Sequence, residues 1–170
     1  MSSTTHASPP ATAAELVASR VGDSGGGVIF EGRHWSWDEA TAAMTDYAHW
    51  LDTYTEGRTP HVGVLLDNVP EFLFLLGAGF LGGTVTVGLN STRRGAELAG
   101  DIAHVDCAVV VTDAEHRPLL DGLDLGGISV VDVTERPRGP ASPPPTRPRP
   151  SADDLALLLF TAGSTGTPKA

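Results

Sequence analysis

Glycines, small hydroxyl residues and one lysine follow an apolar run near the end of the chain. The run covers residues 155–160, and the residues after it are Thr161, Ala162, Gly163, Ser164, Thr165, Gly166, Thr167, Pro168 and Lys169. The two glycines let the backbone approach a ligand closely, so that successive N–H groups converge on an anion. The hydroxyls add neutral donors, and Lys169, the only lysine of the chain, adds a positive charge. The pattern predicts a loop that binds phosphate groups.

The spacing within this segment separates that interpretation from two others. An ordinary Gly/Ser/Thr turn would explain a bare pair of glycines, but not the agreement of order, composition and a preceding strand. A Walker loop has four residues between its glycines and lysine directly after the second, whereas two residues separate Gly163 from Gly166 here. A phosphate-binding loop of another type is therefore favoured.

The elements that must position this loop alternate between strand and helix. We predict, in chain order, a helix over 11–20, a hairpin over 28–35, a helix from 36 to about 54, a strand over 62–66, helix 70–81, strand 84–88, helix 93–105, strand 108–112, a short helix over 115–120, strand 128–133 and a buried strand over 155–160. Strict alternation implies parallel strands with right-handed crossovers. The predicted fold class is α/β with a mostly parallel sheet.

Capping signals support three of these helix starts. Ser36 and Glu39 have the spacing of a capping box. The segment 68–71 is predicted to cap the next helix, with Pro70 in its first turn. Thr92 is predicted to cap the helix over 93–105.

A proline-rich segment, residues 134–153, divides the chain. It holds seven prolines and four arginines, and proline lacks the N–H group that a sheet requires. An exposed, semi-rigid connector is favoured over a proline-motif ligand for an adaptor domain. The predicted organisation is a disordered tail (1–10), an α/β subdomain (11–133), this connector (134–153), and a strand with the phosphate-binding loop (154–170).

Composition and charge limit the classes of function. With 170 residues, 41% of them apolar, the chain can form one domain or a large part of one. Its net charge of -10 argues against nucleic-acid binding. Residues 72–92 carry no formal charge over a length that could span a bilayer, but their glycines and the β-rich segment 84–87 divide them into a helix and a strand. We therefore predict no transmembrane span.

Other residues that could carry chemistry are given structural roles. The single cysteine, Cys107, is predicted to be a buried thiol of a reducing compartment. The histidines show no spacing suited to a metal, and solvated side chains are favoured at Arg93 and Arg94. The predicted packing cluster between hairpin and helix consists of Trp35, Trp37 and Trp50, and the aspartates predicted to cap element ends are Asp67, Asp101, Asp106 and Asp113.

Residues 158–169 resemble the AMP-binding signature of the adenylate-forming superfamily, which includes acyl-CoA synthetases, luciferases and peptide-synthetase adenylation domains. Ala162 and Ala170 depart from it, since serine and glycine are commoner there. Residues 35–39 and 62–72 are similar to earlier elements of the family. Residues 82–94 look most like the branch of very-long-chain acyl-CoA synthetases and fatty-acid transport proteins. The resemblance covers about residues 15–169, the opening portion of the family's large N-terminal domain.

This resemblance implies that a carboxylate attacks the α-phosphorus of ATP, and that the thiol of coenzyme A then displaces AMP. The loop 161–169 would hold the β- and γ-phosphates. ATP with Mg, a fatty acid and coenzyme A are the implied ligands of the full-length parent. The resemblance implies no catalytic and no metal-binding residue within this chain, so the chain alone is expected to be inactive and to bind none of these ligands tightly.

Three functional hypotheses follow. The first is an N-terminal fragment of a fatty acid–CoA ligase, cytoplasmic or at the membrane periphery. The second is a fragment of another adenylating enzyme, an aryl-CoA ligase or a peptide-synthetase adenylation domain. The third is a truncated, non-catalytic binding module. Residues beyond Ala170 would separate the first two, because acyl specificity resides there in the family.

Overall fold

The computed structural model describes residues 10–137 and 147–160. Within these residues the chain forms four α-helices and seven strands. They are α1 (Ala13–Ala18), β1 (Gly27–Phe30), β2 (Arg33–Ser36), α2 (Trp37–Thr55), β3 (His61–Leu65), α3 (Pro70–Gly82), β4 (Val85–Gly88), α4 (Gly95–His104), β5 (Val109–Thr112), β6 (Ser129–Asp132) and β7 (Leu157–Leu159). Short 3-10 turns, Arg117–Leu119 and Val133–Glu135, follow β5 and β6.

Strands β3 to β7 form one sheet in the order β6-β5-β3-β4-β7, and every neighbouring pair is parallel. Strands β1 and β2 form a separate antiparallel hairpin. The predicted α/β fold with a mostly parallel sheet is therefore confirmed. Because β6 and β7 lie at opposite edges, the connector between them must cross the whole sheet.

Successive side chains of a strand point to opposite faces, so the sheet contributes to two apolar cores. Val62 and Val64 pack on one face with residues of α2 and α3. Leu65, Val87 and Val110 pack on the other face with residues of α4. Strands that are apolar at consecutive positions are what a sheet covered on both faces requires.

The first two capping predictions have different outcomes. Ser36 Oγ accepts a hydrogen bond from the Glu39 N–H at 3.1 Å, and the Glu39 carboxylate accepts one from the Ser36 N–H at 2.8 Å, which confirms the capping box. Helix α3 begins at Pro70 as predicted, but its cap is Val69, which makes no side-chain hydrogen bond. Asn68 is therefore not the side-chain cap.

Helix α4 begins at Gly95, two residues later than predicted, and Arg94 occupies its cap position. Thr92 is not the cap, because its N–H and its hydroxyl both donate to Asn90 Oδ1, at 2.9 and 2.8 Å. This local turn holds Thr92 in the loop after β4 and delays the start of the helix.

The uncharged segment 72–92 divides as predicted between α3 and β4. Among the described residues, the helices are too short or too polar to cross a membrane.

The last strand differs from its prediction. The strand over 155–160 was expected to be buried, but β7 covers three residues at a sheet edge, and Leu159 is 55% exposed. Among the described residues β7 pairs with β4 alone, so its outer side carries no neighbour. An edge strand is covered less completely than a central one.

Three parts of the predicted domain organisation lie outside the described residues. These are residues 1–9 of the predicted tail, 138–146 of the connector and 161–170 of the terminal segment. Most described residues of the connector are exposed, but the side chains of Arg136 and Arg147 are largely buried against α2.

Candidate functional site

The predicted phosphate-binding residues, Thr161 to Lys169, lie outside the described residues. The strand that leads into them is described. The Thr86 N–H donates to the Ala156 carbonyl at 3.0 Å, and β7 then runs parallel to β4 until Leu159 lies beside Gly88. The segment therefore leaves the sheet at the carboxyl end of β7. In open parallel sheets this is the edge at which ligands bind.

Packing fixes the point at which the chain leaves the sheet. Leu158 and Phe160 pack against the core on the α4 face. A Cβ atom added to Gly88 would lie 2.7 Å from Leu159 Cδ2, so the glycine allows the two strands to pack closely here. Strands β4 and β7 therefore form a closely packed platform for the residues that follow.

The loop after β4 is held by an ion pair beside this platform. Arg93 donates to both carboxylate oxygens of Asp101, from Nε at 3.0 Å and from Nη2 at 3.2 Å, and lies 3.3 Å from Glu97. The hydrogen bond with Asp101 raises the pKa of Arg93. The predictions of a solvated Arg93 and a capping Asp101 are wrong, because α4 turns the buried carboxylate back toward the loop. Arg94 is exposed, as expected.

The loops after β3 and β5 are joined by His116. Its Nδ1 lies 2.8 Å from Asp113 Oδ1, and its Nε2 lies 3.4 Å from Asp67 Oδ1. Burial by itself lowers the pKa of His116, but the hydrogen bond and charge of Asp113, with the charges of Asp67 and Glu115, outweigh burial and raise it. Burial by itself raises the pKa of Asp113, but hydrogen bonds from the backbone and ring of His116 outweigh burial and lower it. These groups favour an imidazolium between two carboxylates.

The remaining predicted caps have other partners. Asp113 does accept the His116 N–H at 2.8 Å, as a cap would. Asp67 instead faces the His116 ring, and Asp106 accepts a hydrogen bond from the Thr59 hydroxyl. Over residues 10–137 and 147–160, His, Cys, Asp and Glu side chains form no group that could hold a metal ion.

The aromatic prediction holds in part. Trp35 packs edge-to-face on Phe74 of α3 with ring centroids 5.8 Å apart, and Trp50 packs on Tyr47 and Tyr54 within α2. Trp35 and Trp50 therefore join the core through other aromatic rings, whereas Trp37 packs against the same core and lies under the Arg20 guanidinium.

Cys107 is buried as predicted, and burial raises the pKa of its thiol to about 12. It is therefore a neutral core residue and not a nucleophile.

Sequence reasoning missed the ionic contacts of this edge. Asp113 and His116 are spaced three apart directly after a strand, and this spacing was a local signal for their contact. No such signal existed for the contact of Arg93 with Asp101, because one residue lies on a loop and the other on a helix, and their packing had to be known.

Two acyl-CoA ligases are similar to this chain over nearly all of its length. It is 42% identical over 167 residues to a steroid-22-oyl-CoA synthetase of Rhodococcus jostii, covering 94% of this chain and 30% of that protein. It is 42% identical over 166 residues to the medium/long-chain-fatty-acid–CoA ligase FadD17 of Mycobacterium tuberculosis, covering 95% of this chain and 32% of that protein. The chain thus spans about a third of the length of these relatives.

A solved structure shows the same fold. The o-succinylbenzoate coenzyme A synthetase of Bacillus subtilis, in complex with ATP and magnesium ion, superposes with a TM-score of 0.72 at 22% identity, covering 93% of this chain and 41% of that protein. A sequence model of the AMP-binding enzyme family matches residues 17–170. With the relatives above, this confirms the resemblance seen in the sequence: the chain belongs to the AMP-binding enzyme family.

Proposed function

We propose that this chain forms the phosphate-binding part of an acid–thiol ligase. That enzyme would join a fatty acid, or a steroid with a carboxylate side chain, to coenzyme A through an acyl adenylate. The observation that carries the proposal is the 42% identity, over nearly the whole chain, to acyl-CoA ligases of these two kinds. The substrates named for those relatives support an apolar carboxylic acid as the substrate of the proposed enzyme.

In this proposal the residues Thr161 to Lys169 bind the β- and γ-phosphates of ATP. The end of β7 supports this proposal, because it lies at the carboxyl edge of a parallel sheet, beside a close strand contact that Gly88 permits. Because Gly163 and Gly166 have no side chain, the backbone N–H groups around them could approach and converge on phosphate oxygens. The Lys169 ammonium group would offset their negative charge.

The loop would act electrostatically. When bound, ATP supplies the α-phosphorus that an acyl carboxylate oxygen attacks, with pyrophosphate as the leaving group. The loop would orient the triphosphate in line and stabilise the charge that develops on the departing oxygens. Arg93 and His116 would act at a distance, by fixing the loops after β4, β3 and β5.

Since the chain spans about a third of the length of its relatives, the contacts to adenine, ribose, Mg, the acyl chain and coenzyme A belong in this proposal to the rest of the parent. The disordered tail, the connector and the terminal loop segment remain proposals at the boundaries given above. So does a cytoplasmic or membrane-peripheral location.

Replacing Lys169 tests the proposal. In the full-length parent we expect Lys169→Ala to raise the dissociation constant for ATP about tenfold or more, because it removes a charge-assisted contact to phosphate. Isothermal titration with ATP measures this. Arg149→Ala is the matched control, since it removes one positive charge from an exposed position. Unchanged ATP affinity after replacing Lys169, Gly163 and Gly166 together would refute the assignment.

A further inference from the structure

The connector between β6 and β7 joins opposite edges of the sheet, and both of its described ends contact α2. The two strands are separated by β5, β3 and β4, a distance of about 19 Å at the usual strand spacing. In most parallel sheets a helix makes such a crossover and fixes where the next strand lies. The described ends of this connector are fixed instead by two arginines that bind α2.

Arg136 holds the end next to β6. Its Nη1 lies 2.6 Å from Asp46 Oδ2, and both side chains are mostly buried, with 14% and 16% of their surface exposed. The guanidinium also stacks over the Tyr47 ring at 4.5 Å. Tyr47 in turn lies with its hydroxyl 3.5 Å from the Val133 carbonyl, which it reaches as a donor. The start of the connector is thus bound to the middle of α2.

Arg147 holds the end next to β7. Its guanidinium donates to the carbonyl of Thr55, the last residue of α2, and lies 3.9 Å from Asp52. Helix α2 has no basic residue in its own last turn. A cation at a helix C-terminus is favourable because it faces the last carbonyl groups and the negative end of the helix dipole. Arg147 supplies this cation from a distant part of the chain.

Nine residues lie between Arg147 and β7, and most of them are exposed, but two contacts fix this path. The Pro148 carbonyl lies against Gly83, where an added Cβ would be 3.0 Å away, and Gly83 has a φ of +72°. The Ser151 N–H then donates to Asp154 at 2.7 Å, and this turn leads directly into β7. A shift of Arg147 would therefore be passed on to β7.

We propose that Arg147 is a positioning residue for the phosphate-binding loop, acting by fixing β7 beside β4, and that Arg136 secures the other end of the connector. The inference rests on the proposed function for its consequence in catalysis. Its structural half, that Arg147 fixes β7 beside β4, does not depend on the proposed function.

Hydrogen exchange of the 170-residue chain tests the structural half. We expect Arg147→Gln to raise the exchange of amides in 155–160 about tenfold, the effect of losing a partly buried cation at a helix C-terminus. The amides of β3 and β5 should keep their wild-type exchange. Arg147→Lys should restore part of the protection, and Arg149→Gln, a charge loss at an exposed position, should change nothing. Unchanged exchange in 155–160, or equal acceleration in all strands, would overturn the proposal.

Steady-state kinetics of the full-length parent tests the functional half. Arg147→Gln should raise the KM for ATP about tenfold and leave the KM for the acid unchanged, a difference that general destabilisation would not produce. If exchange changes as expected and the KM for ATP does not, the positioning role is refuted. If the wild-type parent binds no ATP at all, the proposed function fails, while the exchange result still decides the structural half.

Discussion

At the scale of single residues, His116 is a buried titratable group surrounded by carboxylates. It is 6% exposed, with Asp113 and Asp67 on its two ring nitrogens and Glu115 nearby. Its pKa is raised in the folded chain, so protonation stabilises the fold. This contribution is fully present below the unfolded pKa, about 6.5, and is lost as pH rises through the folded pKa.

We therefore expect the stability cost of His116→Asn to depend on pH. The cost should be about 1 to 2 kcal/mol near pH 5.5, where the buried charged pair is intact, and should shrink above the folded pKa of His116. The lowered pKa of Asp113 preserves its charge at that pH, because its contribution is lost only as pH falls through that lower folded value. Urea unfolding between pH 5.5 and 9 measures the difference. His34→Asn, at an exposed position, is the control, and a cost at His116 that is constant with pH would contradict the argument.

At the scale of elements, α3 makes two close contacts through glycine. A Cβ on Gly79 would lie 2.6 Å from the Thr84 carbonyl oxygen, whereas a Cβ on Gly77 would meet the Met44 side chain from its Cγ outward. Backbone at the start of β4 cannot move without disturbing the sheet, but a methionine side chain changes rotamer readily. The two glycines thus have different structural importance despite their place on one helix.

Alanine substitutions separate these cases. We expect Gly79→Ala to destabilise the chain by about 2 to 3 kcal/mol through overpacking, and Gly77→Ala by about 1 kcal/mol or less, because Met44 yields and alanine favours helix. Gly100→Ala in α4 meets nothing within 4 Å and should stabilise by about 0.5 to 1 kcal/mol. Chemical denaturation of the three variants provides the ranking. A Gly79→Ala chain as stable as wild type would show that β4 is not held as described.

At the scale of the whole molecule, the sequence predicts what depends on local pattern. The alternation of strands and helices, and the capping box at Ser36, are set by neighbouring residues. The position of β7 at an edge depends on its pairing with β4, 71 residues earlier in the chain. Arg136 and Arg147 bind residues of α2 that lie 90 and 92 residues earlier. No spacing along the chain encodes such pairs, because they arise only after the sheet has been ordered.

The substrate class is also a property of the whole molecule. The proposed function predicts ATP–pyrophosphate exchange by the full-length parent with long-chain fatty acids or steroid acids, because an apolar acyl group gains free energy by leaving water. Aryl acids and amino acids should give at least about tenfold lower exchange, since each tenfold step requires only 1.4 kcal/mol of lost contact. The 170-residue chain, which spans about a third of its relatives' length, should remain at background with every acid. Preferred exchange with an aryl or amino acid would refute the substrate class while keeping adenylation, and turnover by the 170-residue chain would refute the division of roles between this chain and the rest of the parent.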